Sequence, residues 1–330
     1  GVDTVRSNQF LCHYEEFAAW AEGRTRMRNE DFYRWQRRRL GYLIDGDEPA
    51  GGRWNFDADN RRPPPAGERP WPRRGRFPLD DLDREVIAAL PAGAPGADPA
   101  GWWPTSRGQA LERLEGFVEG VLPHFGPWQD AMLADDWHLA HSLLSPALNL
   151  GLLLPAEVCD AVERAYRDGR VPIESAEGFV RQVIGWREYV WGLYWLWGDE
   201  YEERNEFGAD LDLPAAFRGA PTGMRCVDDA VAGIGSRGYA HHIQRLMVFG
   251  NLALLAGVRP GEMVRWMRDS FVDGADWVMV PNVIGMALHA DGGMMATKPY
   301  AAGGGYIDRM SDSGRDCSFD PKRRTGPEAC

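Results

Sequence analysis

The stretch from 179 to 193 constrains the fold more than any other. Phe179, Val183, Trp186, Val190 and Leu193 recur at helical spacing, and Val180, Ile184 and Trp191 make the opposite face apolar as well. A helix that is apolar all round must be enclosed by other elements. The chain has the means to enclose it: 330 residues, 44% of them hydrophobic, suffice for one large core with appendages. No strand–helix–strand alternation and no internal repeat is visible. The expectation is a mainly α protein, with a connector over 1–80 that holds a helix and an arginine-rich loop, and an all-helical domain over 81–330.

Punctuation residues divide the rest. Phe17, Trp20, Phe32, Trp35 and Leu40 predict helix over 14–42. Gly51-Gly52, Pro63-Pro64-Pro65, Pro70, Pro72 and Pro78 make 45–80 a long irregular connector, a kind of loop that is often functional. A second break falls over 91–104. Thr105 or Ser106 can cap a helix carrying Leu111, Leu114, Phe117, Val118 and Val121. Pro155 suits the first turn of a helix ending near Arg167. Further helices are expected over Cys226–Ala256 and Pro260–Phe271.

The formal net charge of −12 argues against binding nucleic acid over the whole surface. The charge is uneven, however. Arg24, Arg26, Arg28, Arg34, Arg37, Arg38 and Arg39 are followed by Arg53, Arg61, Arg62, Arg69, Arg73, Arg74 and Arg76. Such a strip either tracks phosphates or is a solvated helix face. Five widely spaced cysteines do not form a disulfide framework. Fourteen tryptophans serve large packing faces or an aromatic electron path. No apolar run reaches membrane-span length and no signal peptide is visible, so a cytoplasmic monomer with no membrane partner is expected.

Several stretches resemble one family. Gly51-Gly52-Arg53-Trp54-Asn55-Phe56-Asp57-Ala58-Asp59-Asn60-Arg61 is similar to the connector loop of the iron–sulfur bacterial cryptochromes and photolyases. Arg181-Gln182-Val183-Ile184-Gly185-Trp186-Arg187-Glu188-Tyr189 resembles the Trp-Arg-Glu helix of photolyases. Tyr239-Ala240-His241-His242-Ile243-Gln244-Arg245-Leu246-Met247 and Thr297-Lys298-Pro299-Tyr300 resemble the same branch, the prokaryotic (6-4) photolyases. The resemblance implies an all-helical FAD-binding catalytic domain. It also implies a Rossmann-like antenna domain, with its own chromophore, that is missing from this chain.

The resemblance further implies roles for particular residues. Ser142, Leu144 and Ser145 belong to a turn that binds the FAD pyrophosphate, and Arg245 and Asp273 to a buried pair beside the flavin ring. Gln182 and Arg187 are flavin contacts, although positions five apart do not share one face of an α-helix. Met279 stands where relatives carry Asn or Glu opposite flavin N5, and a thioether supplies neither proton nor charge there. His242, with His241 and Tyr300, faces a DNA lesion, and imidazole suits proton donation near neutral pH. Arg53, Trp54, Arg61 and Trp186 are DNA contacts or pocket walls for a flipped base. Trp266 is one member of an electron-transfer chain whose other members fall on Met267 and Arg218.

Cys226, Cys317 and Cys330 match three positions of an iron–sulfur site, and Gly314 replaces the fourth cysteine. Four thiolates ordinarily hold a cubane. Three can hold a smaller cluster, a cubane completed by Asp312, Asp316 or water, or be remnants of a lost site. The implied function is light-driven repair of (6-4) photoproducts in UV-damaged DNA. A blue-light cryptochrome without repair activity and a nucleic-acid-binding scaffold with an empty flavin pocket are the alternatives.

Overall fold

The computed structural model describes residues 5–323 and 325–330, and Asp316 without its side chain. The helices are α1 (Tyr14–Ala21), α2 (Asn29–Leu40), α3 (Asp81–Ala88), α4 (Arg107–Gly120), α5 (Leu122–Trp128), α6 (Ser145–Asn149) and α7 (Pro155–Arg167). They continue with α8 (Ile173–Val180), α9 (Glu188–Trp197), α10 (Arg225–Arg237), α11 (Asn251–Leu255), α12 (Pro260–Ser270), α13 (Asp276–Pro281) and α14 (Gly304–Met310). Three π-helical segments are inserted between them: π1 (Arg181–Arg187), π2 (Gln244–Gly250) and π3 (Asn282–Ala287). Among the described residues the strands are a two-residue antiparallel pair, β1 (Ile44–Asp45) and β2 (Glu48–Pro49).

The continuous run α8–π1–α9 lies at the centre, as its apolar faces require. Its first half contributes Phe179, Val180, Val183 and Ile184 to a core shared with α4, α5 and α7. Its second half contributes Tyr189, Val190 and Leu193 to an aromatic core with Phe17, Trp20 and Phe32 of α1 and α2. A third core lies between α10, π2, α12, α13 and π3. Each fully buried large apolar side chain here stabilises by about 1.5–3 kcal/mol, which outweighs the weak helix propensity of the Val and Trp residues.

Local signals set most boundaries. Ser106 caps α4 by accepting from the Gln109 N–H at 3.3 Å. Asp80 and Asp83 form a reciprocal capping box at the start of α3. Pro155 opens α7. Two expected helices are each divided. Glu22 leaves helical geometry and Gly23 takes φ +70°, so 14–42 is α1 and α2 rather than one helix. Gly238, at φ +64°, ends α10 before π2 begins, so Cys226–Ala256 is not continuous.

The connector is held from within by one of its own arginines. Arg37 is fully enclosed and donates to the carbonyls of Tyr42, Leu43 and Trp54 at 3.3, 2.5 and 2.8 Å. Part of the arginine strip therefore serves the fold. Among the described residues no helix is long and apolar enough to cross a membrane.

Candidate functional site

A cavity of about 200 Å³ opens where α6, π1, α9, π2 and the start of α13 meet. Ser142, Ser145, Gln182, Arg187, Arg245 and Asp273 all line it, with Trp186 and Trp277 among its apolar walls. Asp273 is the hub. Its carboxylate faces Arg245 Nη1 at 2.9 Å and accepts from Ser145 Oγ at 2.7 Å, and its carbonyl accepts from Asn149 Nδ2 at 3.1 Å. A guanidinium this enclosed needs such a partner. The Arg245 guanidinium also lies 3.9 Å over the Phe271 ring. Leu143, between the two serines, has φ +59°, a strained conformation for a branched residue and one often found at functional turns.

The presence of both Gln182 and Arg187 in the wall has a backbone cause. The turn that carries them is π1, with i to i+5 hydrogen bonding. That wider turn brings positions five apart nearly above one another, which an α-helix does not. Arg187 donates to the Gln9 carbonyl at 2.7 Å and lies 4.0 Å over the Phe10 ring, while its Nε has no hydrogen-bond partner. Burial pulls Arg187 down to about 10, although neighbouring Glu188 opposes this.

Other expected site residues stand elsewhere. Leu144 and Met279 are not in the cavity wall; both are enclosed, in the first and third cores respectively. Trp266 lies outside too, edge-on at 5.7 Å to Phe271, the ring that Arg245 covers. Trp266 lines a separate cleft of about 1120 Å³, as does Arg218. Tyr300 is exposed. Trp54 is not a wall of the cavity; it lies under Arg38, whose guanidinium is 4.2 Å from the ring centre. Arg53 and Arg61 are exposed and each pairs with a neighbouring carboxylate, Asp59 and Asp57. Such surface pairs contribute ~0–1 kcal/mol and yield readily to a phosphate. Trp186 donates to Asn282 Oδ1 at 3.2 Å.

His241 and His242 precede Arg245 at the start of π2. His241 is 1% exposed and His242 has a half-exposed side chain, its Nε2 lying 3.4 Å from Asp130 Oδ1. His141, Asp130 and Asn149 belong to the same neighbourhood and were not among the expected residues. His141 had a faint signal, its place immediately before the Ser142 turn. Asp130 had none.

Cys226, Cys317 and Cys330 come together. Burial, then the neighbouring Cys330 and Cys317 thiols, push Cys226 up to about 11. Burial, then Cys317 and Asp308, push Cys330 up. A side chain on Gly314 would collide with the Asp308 carboxylate, so an oxygen group fills the space of the replaced cysteine. Asp312 accepts from the Ala134 N–H at 3.0 Å, and the Asp316 side chain lies outside the described residues. The three thiols lie near enough to perturb one another's ionisation. Cys12 and Cys159 are enclosed far from this set, and burial raises both thiols.

A helical domain built around an Arg–Asp pair, with paired histidines ahead of the Arg, belongs to a known class. The chain is a member of the photolyase/cryptochrome family. The sequence profile of the deoxyribodipyrimidine photo-lyase-related proteins matches residues 1–96. A (6-4) photolyase of Agrobacterium fabrum is 45% identical over 335 residues, spanning 100% of this chain and 65% of that protein. This chain thus corresponds to less than two thirds of that relative's length. The crystal structure of a bacterial class III photolyase from Agrobacterium tumefaciens matches with a TM-score of 0.55 at 23% identity, over 68% of this chain and 46% of that one, a likeness of fold.

Family membership implies FAD, and the cavity can be tested for it. Its polar groups suit a dinucleotide: two hydroxyls, two amides, two guanidiniums and a carboxylate, with the partnerless Arg187 Nε among them. Its volume, about 200 Å³, is below the roughly 300–1,000 Å³ of most ligand clefts. The polar lining suits FAD in its chemistry, and Phe10 packs against two of the cavity's wall residues, stacking under Arg187 and meeting Trp277 edge-on at 5.1 Å.

Proposed function

We propose that the chain carries the catalytic part of a light-driven repair enzyme for (6-4) photoproducts in UV-damaged DNA, with FAD in the Arg245–Asp273 cavity. Residues 1–80 act as connector and 81–330 as catalytic domain. The convergence of Ser142, Ser145, Gln182, Arg187, Arg245 and Asp273 on one cavity supports this reading most. When bound and reduced, FAD supplies an excited electron under blue light.

The protein's own residues do the rest. Ser142, Ser145 and Arg187 bind phosphate and ribose oxygens, and the Arg245–Asp273 pair orients the ring. His242 holds the proton that the reduced lesion takes up, on an imidazole with a half-exposed face, oriented by Asp130 at 3.4 Å. His241, enclosed behind it, fixes its position, and the exposed Tyr300 hydroxyl donates a hydrogen bond to the flipped base. Trp186 closes the pocket. Arg53 and Arg61 exchange their carboxylate partners for DNA phosphates, and Trp54 keeps that rim in shape beneath Arg38. Cys226, Cys317 and Cys330 would hold an iron–sulfur cluster, and Trp266 would be one member of an aromatic chain passing electrons from an external reductant toward the flavin pocket.

The test is repair itself. Reduced protein is illuminated with lesion-bearing DNA while the lesion's near-ultraviolet absorbance is followed. The wild type removes it only in light, and His242→Asn is slower by about 10²–10⁴-fold, the usual worth of a positioned proton donor. A flavin-loaded wild type that leaves the lesion intact would reject the repair role. One rival, a blue-light photoreceptor, predicts photoreduction without repair.

A further inference from the structure

Three imidazoles from two parts of the chain meet beside the cavity. His141 comes from the segment before α6, and His241 and His242 from the turn before π2. One ring nitrogen from each lies within 4.8 Å of the others. His141 and His241 stack at 4.8 Å with 19° between their planes, and His242 stands edge-on to His141 at 5.3 Å. His141 and His241 are 7% and 1% exposed. His141 Nε2 and both ring nitrogens of His241 have no hydrogen-bond partner.

A bound metal would partner His141 Nε2 and one of the two His241 nitrogens, since each imidazole offers it a single lone pair. The repair reading assigns nothing to His141.

We propose that His141, His241 and His242 form a three-histidine site for a divalent transition metal of the zinc class, with a fourth position open to solvent beside the half-exposed His242. Three nitrogen donors suit zinc, copper or nickel and not the oxygen-seeking magnesium or calcium. Tetrahedral ligation at ~2.0–2.1 Å sets ligand nitrogens about 3.3 Å apart, so closing the cluster turns the stacked His141 and His241 rings out of parallel until their in-plane lone pairs converge. Asp130, 3.4 Å from His242 Nε2, is the kind of outer carboxylate that orients a ligating imidazole. The nearby Arg245 cation is offset by Asp273 at 2.9 Å.

The site is tested in the dark, without DNA or flavin chemistry, so its failure is separate from failure of the repair reading. Metal-stripped, tag-free protein is titrated with Zn²⁺ against a chromogenic chelator, and with Cu²⁺ followed by electron paramagnetic resonance. Zinc also binds thiolates, so Cys317→Ser is titrated alongside. The expected result is one zinc equivalent that is unchanged in Cys317→Ser. Its affinity falls at least tenfold in His141→Gln and in His242→Gln, the latter at an exposed position where folding is not at stake. Copper shows nitrogen couplings that diminish in the same two variants. Absence of a stoichiometric site, a site lost only with Cys317→Ser, or equal affinity in both histidine variants would overturn the proposal. On the repair reading, bound zinc occupies the proton donor, and chelation of the metal restores repair.

Discussion

Glu188 shows how a single residue couples the centre of the molecule to its N-terminal segment. Its carboxylate accepts from the Leu11 and Cys12 N–H groups at 3.0 and 2.8 Å, and burial pushes it up to about 7 against the pull of Arg187, those two N–H groups and Arg39. In an unfolded chain the same group ionises near ~4.3. Between these values the folded state holds the extra proton, so stability falls as pH rises through that window and levels off above it, by about 1.4 kcal/mol per unit. The wild-type melting temperature should therefore drop from about pH 5 to about pH 7. Glu188→Gln should flatten that slope, and an unchanged slope in the variant would assign it to other groups. At this scale the sequence was most readable where charge had to be compensated. Arg245 in an apolar helix demanded a carboxylate, and Asp273 supplies it. Asp130 and Asp308 could not be read, because their roles depend on which distant segments fold beside them.

Among the elements, periodicity identified the central helix but not its pitch. Gln182 and Arg187 share the cavity wall because π1 is wound more widely than an α-helix, and no spacing of apolar residues marks that difference. The helix over 14–42 was legible as helix, yet its division at Gly23 was not, since Glu and Arg residues on both sides continue the pattern. Packing between elements is tight where α1 crosses α9. A Cβ at Gly192 would overlap the fully enclosed Phe17 ring. Gly192→Ala should lower unfolding free energy by about 1–3 kcal/mol, the ordinary cost of overpacking, as read by denaturant titration. A loss within about 0.5 kcal/mol would mean that α1 shifts aside without strain.

For the whole molecule, the acidic net charge and the arginine-rich connector are reconciled by distribution. Arg37 is consumed by the fold, while Arg53 and Arg61 remain at the surface with exchangeable partners. The three cores meet along α8–π1–α9, and the cavity opens where they diverge. Flavin stoichiometry after reconstitution of the full chain tests the account at that point most directly. The wild type should take up about one FAD per chain, and Arg187→Met and Asp273→Asn, with native helix content verified, should each retain less than about a tenth of that loading, the loss expected when a charged partner in a desolvated site is removed. Wild-type loading in both variants, or no flavin uptake by the wild type, would contradict it.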